Sequence, residues 1–214
     1  MLLSVNDIKK SFESLHTRVD VLKGISFNVN YGDRLAITGR NGTGKSTLLK
    51  IIAKEIVADS GTIEMDADIR FVYLAQSIAD YTAPGLTVLE HISLGLLVNS
   101  VSGFRKLLKG ERIRQIEAMF EDYDIPLSNR LNTFVGNLSG GERQIVATAT
   151  LIALKPQLFL LDEFTSSLDP ATTELILNNL VRYQKENRSA IVFVSHDKSL
   201  VNQFSKTELS LDFG

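Results

Sequence analysis

The chain has no cysteine among its 214 residues, which excludes disulfides and thiolate metal sites. Histidine is scarce too: there are three, none at the paired spacing that a zinc site uses. A cationic surplus is also missing. Lys and Arg number 23 against 25 Asp and Glu, for a formal net charge of −2 and a pI near 6.0. A dedicated nucleic-acid binder usually carries the opposite balance, so no nucleic acid is expected as a partner. No apolar run approaches the length of a membrane span. The opening MLLSVNDIKKSF lacks the basic region and apolar core of a secretory signal, so none is expected. Internal repeats, low-complexity tracts and coiled-coil heptads are absent. What is present is 44% hydrophobic and 22% charged sequence, ordinary for a globular protein with one solid core. If the protein works at a membrane, a partner must supply the spanning part.

Three short apolar runs stand out: Leu35–Thr38, Leu158–Leu161 and Ala190–Val194. Continuous apolar runs of this length predict strands buried on both faces, as in a parallel sheet. Between them lie helical patterns. Ser46–Ile56 puts Leu48, Leu49, Ile52, Ala53 and Ile56 on one face, and Thr172–Tyr183 does the same less cleanly. Alternating strands and helices predict an α/β fold with ligands at the carboxyl ends of the strands. Alternating segments at Leu2–Val5, Gly24–Val29, Thr62–Met65 and Ile69–Tyr73 predict an antiparallel β layer beside that sheet. The middle reads as helical, with Val88–Val98 and Arg112–Tyr123. The expected organisation is one domain over residues 1–214. Residues 1–76 and 138–214 form the α/β core with its β subdomain, and residues 77–137 form an inserted helical subdomain.

TGRNGTGKST, residues 38–47, fits G-x-x-x-x-G-K-[ST] between a predicted strand and a predicted helix, the context that marks a phosphate-binding P-loop. Gly39, Gly42 and Gly44 let the backbone wrap a β-phosphate, with Arg40, Asn41 and Thr43 completing the loop. Lys45 offers charge to the β- and γ-phosphates, Ser46 a hydroxyl to Mg²⁺, and Thr47 a contact on the α-phosphate side. An accidental glycine-rich turn is the bland alternative, and the flanking strand and helix argue against it. LFLLDE, residues 158–163, is an apolar strand ending in two acids. Asp162 suits Mg²⁺, directly or through water, and Glu163 can face the attacking water as general base. The alternative is a strand running into a solvated acidic turn. His196, in VSHD, ends the third apolar strand and would sit at the same sheet edge, while Gln76, in FVYLAQ, ends another strand-like run. NLSGGERQ, residues 137–144, is a second cradle. Ser139, Gly140 and Gly141 lie just ahead of a helical stretch, where free N–H groups favour phosphate.

Taken in order, TGRNGTGKST, Gln76 of YLAQ, NLSGGERQ, LFLLDE, SSLD and His196 of VSHD resemble the ATP-binding subunit of ABC transporters, and the resemblance covers nearly the whole chain. It implies a RecA-like P-loop NTPase fold, an ATPase activity, and ATP with Mg²⁺ as cofactors. It also implies two subunits meeting head to tail around two ATP molecules, with Ser139, Gly140 and Gly141 completing the partner's site and Asp169 crossing the interface. Gln76 matches a loop that touches Mg²⁺ and water and reports to a transmembrane permease. Glu163 matches the catalytic glutamate and His196 the switch histidine. Phe12 falls where the family places an aromatic that stacks on adenine, and His16, in the lengthened loop SLHTRVD, is a competing candidate.

Some positions depart from the family's usual pattern. Ile145 and Thr150 stand where many members carry arginines, which implies altered packing rather than lost activity. Phe164 stands where proline is common. The chain ends soon after His196, so no added regulatory domain is expected. GFRKLLKGERIR, residues 103–114, is either a solvated helix face or an approach to anionic lipid. Val88–Val98 either packs the helical lobe or lines a groove for the permease. The implied location is the cytoplasmic face of the cell membrane. RLNTFVGNLSGGERQ and TLIALKP resemble ATPases of uptake systems for amino-acid-like solutes, and an importer would add an extracytoplasmic solute-binding protein as a partner. The rivals are an ABC subunit that drives a non-transporting membrane regulator and a soluble ABC ATPase of DNA repair or translation. No coiled coil, zinc motif or second cassette supports the soluble rival.

Overall fold

A computed structural model describes residues 1–14, 17–75, 81–98, 110–166 and 168–211, with the side chains of Ser14 and Val98 excepted. Gln76, His16 and most of the basic stretch 103–114 lie outside the described residues. The described chain forms two compact units. Unit 1 comprises Met1–Ala75, Gln157–Phe164 and Asn187–Gly214, and unit 2 comprises Gln76–Pro156 and Thr165–Glu186.

Unit 1 holds two sheets. β1 (Leu3–Ser14), β2 (Thr17–Val29) and β4 (Ser60–Met65) form an antiparallel sheet in the order β2-β1-β4. β3 (Arg34–Thr38), β5 (Phe71–Leu74), β6 (Leu158–Asp162), β7 (Ala190–Val194) and β8 (Thr207–Ser210) form a parallel sheet in the order β5-β6-β7-β3-β8. All five residues of β6 and all five of β7 are buried, as their unbroken apolar runs require of strands covered on both faces. Burying each such Leu, Val or Phe contributes about 1.5–3 kcal/mol relative to exposure. One core joins Leu3 and Val5 of β1, Leu48, Leu49 and Ile52 of α1 (Lys45–Ile52), Leu160 of β6 and Val192 of β7. α1 ends at Ile52, short of the expected Ile56.

Ile69–Tyr73 was expected in the antiparallel layer. Its strand instead forms as β5 and pairs in parallel with β6, with Phe71 opposite Leu158 and Leu74 opposite Leu161. The reason is in the residues themselves: Val72, Tyr73 and Leu74 are all buried. FVYL is thus a two-sided apolar run rather than a one-sided alternation.

Unit 2 is helical in its regular elements. It contains α2 (Val88–Val98), α3 (Gly110–Asp122), α4 (Gly140–Ala153) and all but the last residue of α5 (Pro170–Asn187). α4 and α5, expected with the α/β core, group with the inserted helices. Val88, Leu89 and Ile92 of α2 are buried, and so are Val146, Ala147 and Ala149 of α4. His91 of α2 joins the two helices, its Nδ1 lying 3.0 Å from Thr150 Oγ1. Within Val88–Val98, Val88, Leu89 and Ile92 are buried and pack the helical unit, Leu96 and Leu97 are half-buried, and Leu94 is exposed. In the same helices Ile145 is buried and Thr150 bonds His91 and Val146 O, so both departures from the arginine pattern sit in packing.

Candidate active site

In unit 1 the parallel sheet brings three loops to one edge. Ile37 of β3 pairs with Val194 of β7, and Val194 pairs with Asp162 of β6. The P-loop, the acidic pair and His196 therefore leave neighbouring strands at the same end, the carboxyl edge where such sheets bind ligands.

The P-loop turns from β3 into the N-terminus of α1. Gly44 caps that helix at φ 94°, in the left-handed region that side chains disfavour. A Cβ there would lie 2.6 Å from Val21 Cγ1 and 2.7 Å from Leu22 Cδ2, so dihedral and space both demand glycine. Lys45 is buried, and its Nζ donates to the carbonyls of Gly39 (3.0 Å) and Arg40 (2.9 Å). Thr43 Oγ1 also donates to Arg40 O, at 2.9 Å. The loop is thus closed on itself by its own polar groups, with Arg40, Asn41 and Gly42 exposed and Thr47 half-buried.

Asp162 is 4% exposed. Burial raises its carboxyl above the ordinary carboxylate value, and the charge of Glu163 pushes the same way. A hydrogen bond from Ser46 and the charges of Lys50 and Lys45 oppose the rise. Its Oδ1 is buried without a hydrogen-bond partner. A buried carboxylate oxygen with spare valence beside a serine hydroxyl is a hard-oxygen donor set. It fits Mg²⁺, which takes one or two protein oxygens and fills the rest of its shell with water and substrate phosphates.

Glu163 adopts φ 48°, uncommon for a residue with a side chain, and its N–H donates to Val194 O at 3.1 Å. His196 Nε2 donates to Glu163 Oε1 at 3.0 Å. That contact holds the Glu163 carboxylate in place. Phe164, at the position where proline is common, is buried. Behind the P-loop, a cavity of about 500 Å³ is lined by Gly39, Arg40, Ser195, His196, Lys198 and Glu208 among others.

Phe12 is 42% exposed near the end of the β1–β2 hairpin, opposite Val19 at 54%. The two form an apolar platform on unit 1.

The second cradle belongs to unit 2. Ser139 caps α4. Its Oγ accepts from Glu142 N at 3.2 Å, and Ser139 N donates to Glu142 Oε2 at 2.8 Å, a reciprocal capping box. The hydroxyl proton of Ser139 is left to donate outward. Arg130 Nη1 grips Glu142 Oε1 at 2.5 Å. The backbone N–H of Ser139 is the main reason the Glu142 carboxyl titrates below its ordinary value. Ser139 and Gly140 are exposed. A Cβ on Gly140 would meet open space, and one on Gly141 would lie 3.3 Å from Thr172 Oγ1. Asp169, just ahead of α5, accepts from Thr172 N (3.0 Å) and Thr172 Oγ1 (2.7 Å), and the backbone bond is the leading cause of its lowered carboxyl pKa.

The structure therefore brings Lys45, Ser46, Asp162, Glu163 and His196 to one edge of unit 1, and places Ser139, Gly140, Gly141 and Asp169 in unit 2. The S-x-x-E capping pattern of Ser139 and Glu142 was present in the sequence as a signal for the cap. The grip of Arg130 on Glu142 had none.

The sequence profile of the ABC transporter family matches residues 22–166, a span that takes in the P-loop, NLSGGERQ and LFLLDE. The lipoprotein-releasing system ATP-binding protein LolD of Geobacter metallireducens is 32% identical over 99% of this chain and 96% of its own length. A methionine import ATP-binding protein, MetN 1 of Staphylococcus aureus, is 29% identical over 94% of this chain and 60% of its own. Among solved structures, the dimeric bacterial ABC transporter cassette MJ0796 superposes with a TM-score of 0.81 at 25% identity, covering 98% of this chain and 95% of that one. Its post-hydrolysis dimer, bound to ADP and phosphate, gives 0.82 at 25% identity, covering 99% and 94%. Profile, relatives and fold agree on one assignment: the chain belongs to the ABC transporter family, as an ATP-hydrolysing nucleotide-binding subunit.

Proposed function

We propose that two copies of this chain close around ATP and that closure drives a separate transmembrane partner. The carrying observation is the division of phosphate-binding groups between two units, a set built around buried Lys45 and Asp162 in one and an exposed helix N-terminus in the other. In this reading Lys45 and the P-loop N–H groups bind the β- and γ-phosphates. Ser46 and Asp162, with Gln76 outside the described residues, would hold Mg²⁺, which when bound neutralises phosphate charge. Glu163 takes the proton of the water that attacks the γ-phosphorus. As that P–O bond forms, the bond to the β–γ bridging oxygen breaks and ADP leaves. His196 holds the Glu163 carboxylate in register. The partner's Ser139 hydroxyl and the N–H groups of Gly140 and Gly141 face the γ-phosphate, where preorganised donors act on developing charge. Phe12 stacks on the adenine.

Among the described residues no helix is long and apolar enough to cross a membrane, so a spanning partner and a place on the cytoplasmic face of the membrane belong to this reading. The import direction expected from the sequence has the methionine import relative in its favour. The lipoprotein-releasing relative of Geobacter metallireducens matches at 32% identity and nearly full length on both sides. That observation favours a partner that handles lipid-anchored protein.

The test is the Glu163→Gln variant with ATP, followed by light scattering. A stable dimer that appears only with ATP is expected. A monomer at tens of micromolar with saturating ATP would sink the proposal. Co-purification of the native partner from membranes then separates import from release.

A further inference from the structure

The hairpin that carries Phe12 is held by a contact from far along the chain. Asp59 lies between α1 and β4. Its Oδ1 accepts from Lys10 Nζ at 2.7 Å, and its Oδ2 accepts from Ser11 N at 2.7 Å and Ser11 Oγ at 2.6 Å. Its own N–H donates to Lys9 O at 2.9 Å. One residue thus grips the three positions that precede Phe12. The bonds from Lys10 and Ser11 keep its carboxyl far below the usual carboxylate range.

The grip falls on an irregularity. Lys10 pairs with Leu22, but Ser11 pairs with Asp20, so Val21 has no partner on β1. A bulge of this kind re-aims the side chains beyond it. Val21 Cγ1 is one of the atoms that crowds Gly44 at the start of α1, so β2 touches the P-loop there. Two residues on, about 7 Å at strand rise, Val19 faces Phe12. Lys10 Nζ meanwhile sits 5.5 Å from the centroid of the Phe12 ring, within cation–π range. One face of the ring is therefore covered by an ammonium group that Asp59 holds.

We propose that Asp59 is a positioning residue for the nucleotide base. It clamps Lys10 and Ser11 at the bulge, so that Lys10 backs one face of the Phe12 ring and the other face stays set for an aromatic base beside Val19. The inference rests on the reading that Phe12 stacks on adenine. It assigns Asp59 no contact with the phosphates.

Calorimetric titration with MgATP and with magnesium tripolyphosphate, which has phosphates and no base, tests it. Asp59→Ala and Phe12→Ala should each weaken ATP binding about 3- to 10-fold, the scale of a lost stacking or cation–π contact, and leave tripolyphosphate binding unchanged. The double variant should bind ATP no more weakly than Phe12→Ala alone. Lys10→Arg should keep wild-type affinity while Lys10→Met loses part of it. Asp59→Asn, which keeps an acceptor for Ser11, should weaken ATP selectively by a smaller factor and guards against a fold that fails without the clamp. Equal loss for ATP and tripolyphosphate in both Asp59 variants would make the residue a structural anchor and overturn the proposal. So would additive losses in the double variant, or wild-type ATP binding by Asp59→Ala. A Phe12→Ala variant that binds ATP normally would instead overturn the stacking reading itself.

Discussion

Unit 1 builds its candidate catalytic set from residues far apart in the chain, and buries much of it. Asp162 reaches Ser46 and Glu163 reaches His196 only because β6, β7 and β3 lie side by side. Unit 2 builds its cradle from four consecutive residues, Ser139 to Glu142, and leaves Ser139 and Gly140 exposed. The difference suits two tasks. A buried carboxylate and ammonium hold charge in a medium where electrostatics are strong. An exposed, rigidly capped helix end presents donors to something brought to it. Changes in unit 1 should therefore strike chemistry, and changes in unit 2 should strike assembly.

The sharpest break comes from Glu163→Gln. The amide keeps the hydrogen-bonding shape and removes the base, so phosphate release per subunit should fall about 10²- to 10⁴-fold, the range for a lost general base, while ATP binding persists. Wild-type turnover in that variant would move the base to another residue.

Asp162→Asn separates the two properties that burial forces together. Because burial raises the Asp162 carboxyl, the folded chain holds that proton more tightly than the unfolded chain. Below the ordinary carboxylate value the group is neutral in both states. As pH rises from there through the raised value, the folded chain must ionise a buried acid, and its stability falls. With Asp162 holding Mg²⁺ as proposed, hydrolysis should run the other way, because metal binding needs the carboxylate. Asp162→Asn should lower Mg²⁺-supported turnover by about 10- to 100-fold, raise the melting temperature at neutral pH, and flatten its pH dependence across that window. A neutral-pH melting temperature below the wild type's would mean that Ser46, Lys45 and Lys50 outweigh burial.

The same contrast explains what could be read in advance. The P-loop was legible because all its parts are contiguous and glycine-marked. The placing of Asp162, Glu163 and His196 at one edge was legible because each ends an apolar run, and a parallel sheet sends such ends to one edge. β5 was misplaced because a four-residue strand such as FVYL carries too little pattern to tell a two-sided run from an alternation. α4 and α5 were expected with the sheet, whereas they group with the inserted helices, because grouping depends on packing that periodicity does not record. Asp59 carried no signal at all. Its bonds to Lys10 and Ser11 span 49 and 48 residues, and nothing local distinguishes it from a solvated loop acid.

A smaller effect tests whether the two units need each other across copies. Ser139→Arg should block the cradle of unit 2, and Lys45→Ala the P-loop of unit 1. Mixed in equal amounts, half the dimers are hybrids with one intact composite site, so about a quarter of wild-type turnover is expected from the symmetry of the pair. Each variant alone should be near background. A mixture no more active than its parts would mean that the cradles do not complete one another.

The smallest expected change is also the most selective for unit 2. A Cβ at Gly140 meets no atom within 4 Å, and Gly140 is the first residue of α4. Alanine there should therefore leave the fold intact or stabilise it by up to about 1 kcal/mol through helix propensity. At Gly44, by contrast, alanine faces both the left-handed dihedral and the 2.6 Å clash with Val21, and the melting temperature should drop. If the open space at Gly140 is where a partner's phosphate sits, Gly140→Ala should weaken ATP-dependent dimerisation while monomer stability holds. Unchanged dimerisation would show that the approach to Ser139 leaves room for a methyl group, and the contact would then rest on the Ser139 hydroxyl and Gly141 rather than on Gly140.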